Sequence, residues 1–281
     1  MTARGAFRRI AGLALAAAVL GLAGCPGAEE EAPSPGAPAP DGAAGRSRHL
    51  DDARALFAHA EGRPIDEQTL VYEQLVRDYP DSELHEIALS RLALNYYVRG
   101  RLDDAEKTCH TFLNLYPASP HFVFPLQFVL DRAALAAKEA APDAKAAADE
   151  KLAQILAEAR ALLERRVAGR AAKDDPVAWT YRVRIASLRG DSAEVIRIAT
   201  ELIDAFPSFA GEAHREFTQM GVPEALEARA DAVAARGGEG DRERALADYE
   251  KLLAYLRSNA VVDKATQASI ERVEGKIRSL R

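Results

Sequence analysis

Apolar residues recur along this chain at intervals of three and four, and no stretch shows the sustained alternation that a half-buried strand requires. The clearest stretch is 83–116. Ile87, Leu89, Leu92, Ala93, Tyr96 and Tyr97 fall on helical spacing, and Gly100 interrupts them. A second run through Leu102, Ala105, Phe112, Leu113 and Tyr116 then stops at Pro117. Glycine just past one helix and proline just past the next are stop signals, so the stretch predicts an antiparallel helix hairpin. The same pattern predicts a hairpin of 49–61 with 66–79, its turn marked by Arg63-Pro64 and its second helix capped by Asp66. Residues 143–168 predict a long amphipathic helix with Leu152, Ile155, Leu156, Ala159, Leu162, Leu163 and Val167 on one side. A further hairpin opens at Asp174-Asp175-Pro176, with proline in the first turn, and closes at Phe206-Pro207. Helix pairs 209–219 with 223–236 and 241–257 with 261–280 complete the chain, separated by the flexible Gly237–Gly240. The acid pairs Asp51-Asp52, Asp103-Asp104 and Asp174-Asp175 are all expected at helix starts, where carboxylates complement the dipole. The expected fold class is all-α.

A lone hairpin cannot bury its apolar faces and needs stacked copies. Gly190 precedes Pro207 by the same 17 residues that separate Gly100 from Pro117. Residues 66–80 end in the same aromatic–proline pair, and Ala245 follows Gly240 as Ala105 follows Gly100. These echoes resemble the tetratricopeptide repeat (TPR), with Tyr96, Ala105, Trp179, Tyr72 and Tyr249 on signature positions. Cys109 and Val195 depart from that pattern, and the last echo lacks its proline. The resemblance implies a TPR-like α-solenoid of antiparallel hairpins. Its last helix is polar on one face (Lys264, Gln267, Glu271, Arg272, Lys276 and Arg278), as suits a solubilising cap.

The amino-terminal end has a different character. Arg4, Arg8 and Arg9 precede the apolar run 10–23, which is too short to span a bilayer comfortably and reads as a signal peptide. The run ends in Leu22-Ala23-Gly24-Cys25, which resembles the bacterial lipobox. Residues 1–24 are therefore expected to be removed and Cys25 to be acylated, which makes it the membrane anchor. Residues 26–48 are rich in Pro, Ala, Gly and Glu, without bulky apolar side chains. Together with Cys25 they are expected to form a disordered tether of up to roughly 70 Å. The helical repeat domain is expected over 49–281.

Charge and cysteine content narrow the function. The formal net charge is −6, and cleavage at residue 24 takes away three arginines and no acid. An acidic chain without a basic stripe argues against nucleic acid. With Cys25 lipidated, Cys109 has no partner and is expected as a small buried hydrophobe. The six histidines never take zinc-site spacing, and no nucleophile-elbow, P-loop or dinucleotide fingerprint occurs. No catalytic residue, metal or cofactor is expected.

A narrower resemblance covers about residues 50–138. The run Ala105-x-x-x-Cys109-His110-Thr111-Phe112-Leu113-Asn114-Leu115-Tyr116-Pro117-Ala118-Ser119-Pro120-His121, with Tyr79-Pro80-Asp81-Ser82 and Tyr96-Tyr97, is similar to the outer-membrane assembly lipoprotein (BamD/YfiO) family. The family's third repeat is not evident over 139–175. The resemblance implies a non-catalytic, periplasm-facing scaffold, lipid-anchored at the outer membrane, that binds an Omp85-type barrel protein or another envelope-assembly component. Other readings are a secretin or pilus pilotin, a division or peptidoglycan coordinator, and, remotely, an envelope enzyme. First helices of TPR hairpins line a concave face. On that pattern Arg91, Leu94, Asn95, Tyr97 and Val98, and in the later hairpin Tyr181, Arg184 and Leu188, are the candidate partner-binding residues. The run Phe122–Phe128 is expected to pack in the core.

Overall fold

The computed structural model describes residues 41–206, 221–258 and 264–281. These form α1 (Asp41–Ala60), α2 (Ile65–Asp78), α3 (His85–Val98), α4 (Leu102–Leu115), α5 (Val123–Glu139) and α6 (Lys145–Arg166). They continue with α7 (Pro176–Leu188), α8 (Ser192–Ala205), α9 (Val222–Arg236), α10 (Asp241–Ser258) and α11 (Lys264–Leu280). Short 3-10 turns precede α5 and α7, and no strand occurs among the described residues. Residues 1–40, and with them Cys25 and the predicted leader, lie outside the described residues, as does the predicted helix 209–219.

Among the described residues the chain divides within α5 into two compact units, 41–132 and the remainder from 133. In the first unit, α1 packs on α2, α2 on α3 and α3 on α4. Tyr72, Leu75, Ala88, Ala105, Cys109 and Phe112 fill the space between them, each fully buried. Cys109 is thus the small core residue its surroundings predicted, and burial pushes its thiol pKa well up. Phe122, Leu126 and Phe128 are buried as well, so the Phe122–Phe128 run is core.

In the second unit, α6 packs on α7, α7 on α8, α8 on α9, α9 on α10 and α10 on α11. Helix α7 also meets α9 directly. Gly221 stands where α9 approaches α7. Its φ is +68°, and a Cβ there would lie 2.1 Å from the Thr180 hydroxyl. Only glycine satisfies both the left-handed backbone and the close approach.

The hairpin turns explain the repeated glycines. After α3, Gly100 N–H donates to Tyr97 O at 3.0 Å and Arg101 N–H to Tyr96 O at 2.8 Å. After α7, Gly190 N–H donates to Ser187 O and Asp191 N–H to Ala186 O, both at 3.0 Å. Each is the paired-bond helix stop that requires a left-handed residue, and Gly100 and Gly190 sit at φ +75° and +69°. The aromatic–proline stops are as regular. Tyr79, Tyr116 and Phe206 cap their helices at φ −131°, −126° and −133°. A residue before proline is driven out of the helical region in this way.

Three local expectations are corrected. Helix α1 begins at Asp41 rather than His49, so the end of the predicted tether is helical; Ala43 and Ala44 favour helix there. Asp51 and Asp52 consequently lie in mid-helix, away from any dipole end. Asp66 does not cap α2: that helix starts at Ile65 after Pro64, with no side-chain cap, and Asp66 pairs with Arg99 instead. Asp175 does cap α7, its carboxylate accepting from Ala178 N–H at 3.2 Å. It also receives Arg166 Nε at 2.6 Å.

Candidate binding groove

The candidate residues of α3 are held by their own unit. Arg91 donates to Tyr72 Oη at 3.2 Å, pairs with Glu61 at 3.3 Å and lies 5.1 Å above the Phe57 ring. The guanidinium thereby ties α3 to α1 and α2. The Tyr97 ring meets Phe128 at 5.5 Å and Phe124 at 5.8 Å, edge to face. Such pairs stabilise by about 0.5–1.5 kcal/mol beyond area burial. Asn95 is buried, and its Nδ2 has no hydrogen-bond partner among the described residues. Val98 alone is strongly exposed, at 55%. The expected α3 face is thus a packed and bridged surface, with Arg91, Asn95 and Tyr97 all turned to neighbours.

In the second unit Tyr181 is buried and Arg184 half-buried. Trp179, on the signature position, is buried too, and its indole N–H lacks a partner among the described residues. The open surface lies one helix earlier. A groove of about 550 Å³ runs along α6 and ends at the carboxyl end of α7. Its wall on α6 carries Leu152, Leu156 and the exposed Ala153, Ala157 and Ala161. Leu188 and Arg189 come from α7. Alanines four apart stack along one helix face, so the wall is shallow-sided and continuous. Leu188, a candidate from the sequence, does line this groove.

A smaller cleft adjoins it, sharing Arg160, Glu164 and Arg189 and adding Arg182 and Glu194. The charges there are not balanced. Glu164 receives Arg160 Nε at 2.6 Å. Glu194 receives Arg197 through two bonds, at 2.7 and 2.8 Å, and the hydrogen bond from Arg197 holds its carboxyl below the usual range. Both acids are therefore occupied. No carboxylate among the described residues lies within ion-pair distance of Arg182 or Arg189. Arg182 is half-buried with its guanidinium 4.4 Å from the Trp179 ring. Burial, and then the charge of Arg197, pushes its pKa down.

Helical periodicity did not single out Arg182, Arg189 or the alanine row. The available signal was Ala153, Ala157 and Ala161 at intervals of four, opposite the buried Ile155, Ala159, Leu162 and Leu163. Among the described residues, no group of three or more His, Cys, Asp or Glu is placed to hold a metal ion. No described helix is long and apolar enough to cross a membrane.

No family model matches the chain, and no curated protein matches it. Among solved structures, a thermophilic TPR protein of Thermus thermophilus aligns with 83% of this chain and 97% of its own. The identity is 15% and the TM-score 0.44. The class is defined by the chain's own geometry: an all-α, TPR-like repeat protein, built from antiparallel hairpins with glycine turns and aromatic–proline stops.

Proposed function

We propose that this chain is a non-catalytic protein-binding scaffold of the bacterial cell envelope. It is anchored through acylated Cys25 at the outer membrane, with its repeats facing the periplasm. The observation that carries the scaffold role is the open groove along α6, an apolar wall flanked by two arginines, Arg182 and Arg189, without acidic partners among the described residues. Such a surface suits the docking of a peptide segment. What supports the envelope setting is the Leu22-Ala23-Gly24-Cys25 motif behind an apolar run, together with the proline-rich stretch that follows. The similarity of residues 50–138 to the BamD/YfiO family makes an Omp85-type barrel protein the proposed client.

The test is a mild-detergent pull-down of the full-length tagged chain from its native membranes, with Cys25→Ser as the unanchored control. Palmitate labelling is expected on the wild type and lost in Cys25→Ser. Stoichiometric recovery of an Omp85-type barrel, reduced in the control, is the expected result. Recovery of a secretin, pilus or division component instead would replace the client and keep the scaffold. A labelled Cys25→Ser chain would remove the anchor.

A further inference from the structure

The groove beside α6 has a chemistry that selects what enters it. Its wall offers methyl groups from Ala153, Ala157, Ala161, Leu152, Leu156 and Leu188. Of its charged members, Asp149 is held by Lys145, and Arg160 and Glu164 hold one another. No Asn, Gln, Ser or Thr lines it, and the backbone groups of a helix interior are already bonded to one another. An extended peptide laid here would leave its own N–H and C=O groups against methyls, at a cost of several kcal/mol for each unbonded group. A helical peptide brings its hydrogen bonds with it. The alanine row also lets a second helix approach closely, since small side chains in an i, i+4 row leave room for the ridges of a neighbour. From Asp149 to Glu164 the wall is about 22 Å long at 1.5 Å per residue, the length of a four-turn helix.

Charge narrows the occupant further. Beside the wall stand Arg189 and, in the adjoining cleft, the half-buried Arg182, neither with an acidic partner within ion-pair distance among the described residues. Glu194, Glu201 and Glu164 act on Arg182 only from a distance, and a half-buried cation with no carboxylate in contact gains from an incoming one. The carboxyl end of a helix, with its negative dipole, gains in the same place.

We propose that the α6 groove binds an amphipathic helix of a partner protein, its apolar stripe against Ala153, Ala157 and Ala161 and an acidic residue of its last turn against Arg182 and Arg189. This rests on the scaffold reading above and names the kind of segment that the scaffold takes.

The experiment is a display selection on the full-length chain in detergent. The probes are two libraries of 16-residue peptides, one with helical apolar spacing and one proline-interrupted. Selection runs in parallel on wild type, Ala157→Arg, Arg189→Glu and, as an exposed control away from the groove, Lys107→Glu. Ala157 and Arg189 are both exposed, so these variants are expected to keep the wild-type circular dichroism and melting. Enrichment from the helical library is expected, with apolar residues at three- and four-residue spacing and Asp or Glu in the last turn. Affinity for an enriched peptide should fall about tenfold or more in Arg189→Glu and Ala157→Arg, the loss of a charge-assisted bond or of the close wall. It should be unchanged in Lys107→Glu. Enrichment only of proline-interrupted peptides, equal binding to all four proteins, or no enrichment at all would overturn the proposal. So would self-association abolished by Ala157→Arg, which would make a second copy of this chain the occupant. If the membrane pull-down recovers an envelope partner whose binding ignores Ala157→Arg, the scaffold function stands and this groove is not its site.

Discussion

Arg99 and Arg189 occupy the same place in two hairpins, each one residue before the left-handed glycine that ends a first helix. Their circumstances are opposite. Arg99 is met by Asp66 from the preceding helix, whereas Arg189 lines the groove along α6 and has no acid within ion-pair distance among the described residues. The difference extends to the units around them. In residues 41–132 the first-helix face is closed by Arg91 on Glu61 and Tyr72 and by Tyr97 on Phe124 and Phe128. In residues 133–281 an apolar groove stays open and two guanidiniums are left over among the described residues. A repeat position therefore fixes where a side chain starts. The helix packed beside it decides whether that side chain becomes a bridge or a binding group.

The comparison can be broken at several strengths. The largest expected effect is Asp175→Ala in the second unit. It removes the cap of α7 and breaks the Asp175–Arg166 ion pair, whose side chains are 9% and 12% exposed. Breaking so buried a pair costs about 3–5 kcal/mol, read as a loss of denaturant midpoint. Asp175→Asn, which keeps a capping oxygen, should recover part of it.

Glycine substitutions separate backbone strain from close approach. At Gly100 an added Cβ meets nothing within 4 Å, so Gly100→Ala should cost only the left-handed backbone, about 1–2 kcal/mol. At Gly221 the same methyl overlaps Thr180, and Gly221→Ala should cost about 3 kcal/mol or more. Thr180→Ala in that background should return part of the loss by thermal melting. Equal costs at the two glycines would contradict the packing of α9 on α7.

A smaller effect belongs to the first unit alone. His85 is buried, with Nδ1 2.6 Å from Tyr116 Oη. Burial holds its pKa below the ordinary 6.5. The neutral ring is the native form, so its contribution is full above about pH 6.5 and is lost as pH falls below that toward the lowered value. Stability at pH 5 should drop below that at pH 7.5, by an amount that His85→Gln reduces.

The smallest effect is Asp66→Ala. Both partners of that pair are about half exposed or more, so less than about 1 kcal/mol is at stake. The variant leaves Arg99 without Asp66, yet it should gain no binding of acidic helical peptides, because Arg99 is not among the residues that line the α6 groove. A gain would mean that a free arginine at this position suffices.

The hairpins were legible because glycine and proline act locally. Gly100, Gly190, Pro80 and Pro117 place helix ends within one to three residues, since a left-handed turn or a pre-proline residue has no alternative backbone. Helix α1 shows the limit: an Ala-containing stretch inside a Pro/Gly-rich run read as tether but is helical from Asp41. The binding face was less legible. Arg91, Asn95, Tyr97 and Tyr181 were assigned from one helix at a time, and a stacked helix is covered on several sides by neighbours that its own periodicity does not reveal. That Glu164 is held by Arg160 and no described carboxylate reaches Arg189 is set by α6, more than twenty residues away in sequence.

The most direct measurement is photocrosslinking in native membranes from two positions of the full-length chain. A photoreactive residue replaces Ala161 on the groove wall in one version and the exposed Val98 of the closed face in the other. The account predicts a discrete adduct from position 161, mapped by mass spectrometry to a helical, acid-ended segment of an envelope protein, and none from position 98. An adduct from 98 with none from 161 would place binding on the α3 face and contradict it.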